Sequence, residues 1–212
     1  MCGIVGYVGS EQAAPILLEG LSRLEYRGYD SAGICVSADG RLQLSKSKGR
    51  LQNLIEKTEN GALLPGTLGI GHTRWATHGE PNDINSHPHL SQGGKIALVH
   101  NGIIENYLEL RQFLQAKGVQ FASETDSEVV AQLLEFYYLQ THSVFDALYM
   151  VLHRIEGAYA LGILCADEPD RIYAARKDAP LLLGYGNGYN FIASDVTALV
   201  KHTRTVAYME DG

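Results

Sequence analysis

Apolar residues in this chain gather in short runs toward both ends and recur at helical spacing in between, an order that limits the folds open to it. Gly3 to Val8 is a β-rich run closed by Gly9, followed by Ser10 as a candidate helix N-cap. Ile16, Leu17, Leu21 and Leu24 then repeat at helical spacing up to Gly28, with Pro15 in the first turns. Ala32 to Ser37 and Leu42 to Lys46 read as paired strands, because the Asp39-Gly40 step between them is a strong tight-hairpin signal. A modest helix from about Arg50 to Glu59 leads to a strand from Leu68 to His72. Residues 73–90 carry Pro, Gly, Asn, Asp and His with no usable period, and a loop of that length is usually functional or disordered.

Beyond it, Lys95 to His100 reads as a strand and Ile104 to Lys117 as a helix stopped by Gly118. Thr125 with Glu128 fits the capping-box pattern and marks the start of another helix. From Tyr159 the pattern changes to short apolar runs, Tyr159 to Cys165, Ile172 to Ala175, Leu181 to Tyr185 and Phe191 to Ala193, separated by Asp, Pro and Gly. Helices lying between two strand-rich ends predict a layered α+β domain, sheets packed on each other with helices outside. At 212 residues, one well-buried domain is expected.

Lys and Arg total 17 against 24 for Asp and Glu, a net charge of -7, and no basic run is present to neutralise phosphates. Nucleic acid is therefore not an expected partner. No uninterrupted apolar stretch approaches the roughly 18 residues of a membrane span, and the N-terminus lacks the pattern of a secretory signal. The expectation is a soluble, cytoplasmic protein. Three cysteines cannot all pair within the chain, and Cys35 and Cys165 sit inside apolar runs, as reduced core residues do.

Cys2 is different. It follows the initiator methionine and is small enough for Met1 to be removed, which would leave one residue carrying both a thiol and a free α-amine. The amine has a reference pKa of about 7.7 to 8.0 and the thiol about 8.5, so near neutral pH the amine can take the thiol's proton. Nucleophile and general base then share one residue. The bland alternative is a small free cysteine packed in the core.

Five ordered blocks narrow this further: Cys2-Gly3-Ile4-Val5-Gly6, the run from Glu25 to Gly33, the run from His72 to Gly79, the run from His100 to Asn106, and the run from Ser123 to Glu128. Together they resemble the class II glutamine amidotransferases, which are N-terminal-nucleophile (Ntn) hydrolases, and within them the branch that aminates fructose 6-phosphate. The resemblance covers essentially the whole chain. It implies a four-layer αββα sandwich, two antiparallel sheets flanked by helices. It also implies hydrolysis of L-glutamine to glutamate and ammonia through a Cys2 thioester, the ammonia serving conversion of fructose 6-phosphate to glucosamine 6-phosphate. In that branch a sugar-isomerase/synthase domain follows in the same chain. Residues 1–212 are accordingly expected to be the glutaminase domain, stopping before its last strands are complete, with the synthase domain absent and a homo-oligomer possible for the full-length enzyme. No cofactor is implied.

The resemblance also assigns residues. Asn101 and Gly102 match the oxyanion site, a side-chain amide and a backbone N–H directed at the tetrahedral oxygen. Removing one such donor typically costs about a hundred- to a thousandfold in rate. Without the resemblance, a strand-ending Asn-Gly turn explains the pair. Arg74 and Asp126 match the cation and anion that grip the α-carboxylate and α-ammonium of free glutamine, Arg through two parallel hydrogen bonds. A first-turn acid is also favoured at position 126 by the helix dipole alone. Thr77 and His78 match loop residues that contact glutamine, and Trp75, the only tryptophan, an aromatic that closes over the site. Arg27 and Gly28 match supporting positions near the terminal amine.

Two other classes compete. His72, His78, His87, His89 and His100 crowd one region, which raises a metal-dependent hydrolase, but no His-Glu-x-x-His or paired Cys-x-x-Cys spacing is present, so no metal is expected. A non-catalytic glutamine-binding or assembly module left by truncation needs no nucleophile, and the presence of Cys2, Asn101, Arg74 and Asp126 together argues against it, while the expected truncation keeps it open.

Overall fold

The structure, a computed structural model, describes residues 2–75 and 80–212. Strand β1 (Gly3–Val8) leads into helix α1 (Ala13–Ser22) and a 3₁₀ turn, Glu25–Arg27. The hairpin β2 (Ser31–Ala38) and β3 (Arg41–Lys48), helix α2 (Leu51–Lys57) and strand β4 (Leu68–Arg74) follow. The middle of the chain forms β5 (His89–Leu90), β6 (Ile96–Ile104), α3 (Tyr107–Ala116), α4 (Asp126–Thr141) and α5 (Val144–Leu152). The remainder is β7 (Gly157–Cys165), β8 (Tyr173–Lys177), β9 (Leu182–Tyr185), β10 (Asn190–Ala193) and β11 (Thr205–Tyr208).

These strands make two antiparallel sheets. One has seven strands in the order β11-β9-β10-β1-β4-β2-β3, the other four in the order β5-β6-β7-β8. Three apolar cores separate the layers. Val5, Tyr7, Ile34 and Val36 pack with Leu17, Leu18 and Leu21 of α1, between the larger sheet and α1 and α2. Ile4, Ile70, Ala97, Val99 and Leu164 meet between the sheets. Ile96, Leu98, Leu161 and Ile163 pack against Val129, Leu133 and Val151 beneath α3, α4 and α5. The period of two along each strand divides the residues: in β6, Ala97 and Val99 face the other sheet while Ile96 and Leu98 face the helices. Burying each of the Val, Ile and Leu side chains contributes about 1.5–3 kcal/mol. The expected αββα layering is what forms.

Local signals succeeded where the residues involved act locally. Asp39 (φ 51°) and Gly40 (φ 69°) both adopt left-handed backbone and close the β2–β3 hairpin. Thr125 caps α4, its Oγ1 accepting from the Glu128 N–H at 3.3 Å. The reciprocal half of the box is displaced, for the buried Glu128 carboxylate accepts from the N–H groups of Ala122 (2.9 Å) and Ser123 (2.6 Å), and Thr125 donates to Ser123 Oγ at 3.3 Å.

Three expectations are corrected. The first helix starts at Ala13 and is capped at Gln12, not Ser10, because Ala13 N–H donates to the Gly66 carbonyl and Gln12 Oε1 accepts from Gly66 N–H. A tertiary contact thus replaces the side-chain cap. The helix ends at Ser22, and the turns that follow are 3₁₀. Residues Asn101 to Ile104 are strand: β6 continues past the expected end because each residue pairs with β7, Ile104 opposite Gly157, and α3 begins only at Tyr107.

Candidate active site

Adjacent strands bring the first residues together. Gly3 of β1 is paired with Thr73 of β4, so Cys2 falls beside the end of β4. There the Trp75 N–H donates to Cys2 Sγ at 3.1 Å, and the thiol faces the Trp75 carbonyl at 3.5 Å. Cys2 is partly buried. Burial pushes its thiol above the ordinary value, against the opposing pull of the Trp75 backbone hydrogen bond. Burial thus favours the neutral thiol over the thiolate. By contrast Cys35, fully buried, is pushed up to about 12 by desolvation, and Cys165 is also buried and free.

Asn101 reaches Cys2 from the other sheet. Its Nδ2 donates to the Cys2 carbonyl at 3.0 Å, and its Oδ1 lies 2.9 Å from His72 Nε2. The same His72 nitrogen lies 3.1 Å from the His100 carbonyl. The neighbouring Gly102 sits at φ 131°, a conformation that L side chains rarely adopt, and a Cβ there would lie 2.0 Å from the Ala158 carbonyl oxygen. The Asn101-Gly102 pair is thus built into a strand whose irregularity requires glycine.

A cavity of about 470 Å³ opens between the sheets, lined by Cys2, Asn101, Gly102, Arg74, Trp75 and Asp126 among others. Arg74 and Asp126 are both buried. Asp126 occupies the first turn of α4 and accepts from the Ile104 N–H at 2.9 Å, which ties the helix to the end of β6. A buried cation and a buried anion therefore face one cavity with a thiol and an amide donor. That combination suits a small zwitterion carrying a side-chain amide.

The supporting positions fall as follows. Gly28 ends the 3₁₀ turn and lies against Arg74, whose carbonyl carbon would be 2.8 Å from a Cβ at that position. Arg27 belongs to the same turn, and its side chain lies outside the described residues, as do Thr77 and His78. Trp75 is half exposed, its ring edge-on to Tyr29 at 5.4 Å between centroids.

The described histidines of the crowded region form a buried stack. His72 and His87 lie face to face at 4.2 Å with planes 16° apart, and His89 meets His87 edge-on at 4.6 Å. Among the described residues, no group of three or more His, Cys, Asp or Glu side chains is placed to hold a metal ion. His87 Nδ1 accepts from the His100 N–H, while His89 and His100 bond Thr125 Oγ1 (3.0 Å) and Ser127 Oγ (2.8 Å). Burial lowers all four imidazoles, His72 to about 3. Sequence reasoning did not assign His72 to the site. Its place two residues before Arg74, on the same face of a strand, was the available signal.

A family model for the glutamine amidotransferase domain matches residues 72–201. Among relatives, the glutamine–fructose-6-phosphate aminotransferase (isomerizing) of Caldanaerobacter subterraneus subsp. tengcongensis is 63% identical over 211 residues, covering 100% of this chain and 34% of that protein. The protein of the same name from Pyrococcus horikoshii is 51% identical, covering 100% of this chain and 35% of its own length. The chain thus spans about a third of these relatives. Among solved structures, glutamine phosphoribosylpyrophosphate amidotransferase from B. subtilis, complexed with ADP and GMP, superposes with a TM-score of 0.86 at 30% identity, covering 100% of this chain and 46% of its own. A glutamine aminotransferase class-II domain protein from Silicibacter pomeroyi, with a TM-score of 0.66 at 15% identity over 100% of this chain and 92% of its own, shares the fold. With the two-sheet Ntn-type amidotransferase architecture and the family match together, the chain belongs to the glutamine amidotransferase domain family.

Proposed function

We propose that this domain hydrolyses L-glutamine to glutamate and ammonia, with Cys2 as nucleophile. Removal of Met1, which lies outside the described residues, exposes the α-amine of Cys2. That amine takes the thiol proton as sulfur adds to the side-chain amide carbon of glutamine. The tetrahedral oxygen is held by Asn101 Nδ2 and the Gly102 N–H, and the amine returns the proton to the departing nitrogen, which leaves as ammonia. Water then cleaves the thioester through the same oxyanion site, releasing glutamate and restoring the thiol. Arg74 holds the α-carboxylate and Asp126 the α-ammonium, with Thr77, His78 and Trp75 closing the site and Arg27 and Gly28 supporting the amino end.

The observation that carries this reading is the fixed Asn101 amide, 3.0 Å from the Cys2 carbonyl, in a cavity that Arg74 and Asp126 also line. Burial disfavours ionisation of the thiol, which suits a base placed beside it, the role proposed for the α-amine. The ammonia is proposed to pass to a synthase domain in the remainder of a longer chain, for conversion of fructose 6-phosphate to glucosamine 6-phosphate. The expected setting is the cytoplasm; among the described residues no helix is long and apolar enough to cross a membrane.

Incubation of the purified chain with glutamine, with glutamate measured over time, tests the reading beside a Cys2→Ala variant and an intact mass. A chain lacking Met1 should turn over and the alanine variant should not. Equal glutamate from both would overturn the assignment of Cys2, and binding of glutamine without turnover by either would favour a non-catalytic module.

A further inference from the structure

The hydrogen-bond chain behind Asn101 has only one consistent assignment of protons. The backbone carbonyl of His100 can only accept, so His72 Nε2, 3.1 Å away, carries the hydrogen. The atom of Asn101 facing that N–H at 2.9 Å must then be Oδ1, and the amide nitrogen must face Cys2. The Cys2 carbonyl, again an acceptor, requires the same orientation from the other side at 3.0 Å. One hydrogen of Nδ2 goes to that carbonyl and the second is left for the cavity. Were the amide turned over, two pairs of like groups would be opposed in a buried setting, a cost of roughly 1–3 kcal/mol for each unsatisfied group.

We infer that His72 is a positioning residue for the oxyanion donor: its Nε2–H locks the Asn101 amide with nitrogen toward Cys2. This rests on the glutaminase reading above. Several features hold the ring for that task. His72 is 1% exposed, stacked on His87 at 4.2 Å, and among the described residues its Nδ1 has no hydrogen-bond partner, which leaves Nε2 as the nitrogen with acceptors in reach. Burial pushes the imidazole down to about 3, so it stays neutral, with a single ring N–H, across the working range of pH. His72 and Arg74 lie two apart on β4, so one strand face sets both the oxyanion donor and the carboxylate grip.

Two variants separate positioning from packing. His72→Leu removes the donor and keeps an apolar side chain in the space, while His72→Gln puts an amide N–H near the place of Nε2. The leucine variant is expected to lose roughly ten- to a hundredfold in kcat, part of the loss for a missing oxyanion donor, with KM for glutamine unchanged within about threefold. Glutamine at that position should restore most of kcat. In an Asn101→Ala background the leucine change should cost less than about threefold, because the amide it orients is gone. Wild-type kcat in His72→Leu, no rescue by glutamine, or a full additive loss in the Asn101→Ala background would each overturn the inference. Nitrogen chemical shifts of the unsubstituted protein provide a reading that needs no variant: Nε2 should be protonated and Nδ1 bare, and the reverse tautomer refutes the inference outright. A wild-type chain lacking Met1 that makes no glutamate would refute the glutaminase reading, while the tautomer measurement would still decide the His72–Asn101 contact.

Discussion

Mild acid should destabilise this fold through its buried imidazoles. His72, His87 and His89 are each 5% exposed or less, and burial holds His72 down to about 3 and the other two well below the ordinary value. In the unfolded chain each titrates near about 6.5. Between those values the unfolded state binds protons that the folded state refuses, so stability present above the unfolded pKa is lost as pH falls toward the folded one. For His72, going from about pH 7.5 to about pH 5.5 costs on the order of 1 kcal/mol. His87 and His89 act in the same direction, so acid erodes the roughly 5–15 kcal/mol that typically stabilises a domain. His100 is lowered too and acts in the same direction. Urea unfolding followed by circular dichroism at a series of pH values measures the loss directly. His89→Gln retains a partner for Thr125 Oγ1, which His89 bonds at 3.0 Å, and removes one titrating group. It should make the fall in stability with acid shallower. Stability constant to within about 0.5 kcal/mol across the window, or an unchanged slope in His89→Gln, would show that these rings accept protons in the folded state.

Other perturbations are as direct. Gly102→Ala forces a side chain onto backbone at φ 131° and against the Ala158 carbonyl, so urea unfolding should show a loss of about 3 kcal/mol or more, and a loss under about 1 kcal/mol would mean that the strand adjusts freely. Asp126→Asn keeps an oxygen for the Ile104 N–H but loses the charge proposed to hold the ammonium; KM for glutamine should rise about tenfold or more with stability changed by under about 1 kcal/mol. Unaltered binding with a lowered melting temperature would assign Asp126 to the helix end alone. If the Trp75 ring closes over bound ligand, the emission of this sole tryptophan, half exposed at rest, should shift at saturating glutamine, and an unchanged spectrum counts against a moving lid.

Where a few neighbouring residues decide the backbone, the sequence was a sufficient guide. Asp39-Gly40 had to turn tightly because both residues tolerate left-handed backbone, and Thr125 had to start a helix because its hydroxyl can take the Glu128 N–H. Ser10 looked as good a cap as Thr125, yet the distant Gly66 supplies the partners that start α1. Asn101-Gly102 looked like the end of a strand because Asn-Gly usually is, and only the pairing with β7 carries β6 through it. Strand β11 lacks a strong apolar run, and its pairing with β9 at the edge of the larger sheet defines it. Long-range pairing overrules local preference at each of these places.

The same distinction governs the site. Cys2, Arg74, Asn101 and Asp126 carry motifs that the resemblance could match one by one, since each has a chemistry that its residue type already limits. His72 has no such mark, because a histidine in a buried strand is compatible with a core ring, a metal ligand or an orienting donor. Alternation along β4 places it on the face shared with Arg74, but alternation alone does not say that this face meets β6. That follows only when the two sheets stack, and the stacking is fixed by Ile4, Ile70, Ala97 and Val99, none of which touches the chemistry. The apolar layer between the sheets therefore sets the geometry of the Asn101 amide, the proposed oxyanion donor. A substitution there that shifts one sheet against the other by a few tenths of an ångström should affect turnover before it affects folding, because the 2.9 Å and 3.0 Å bonds at Asn101 span that gap.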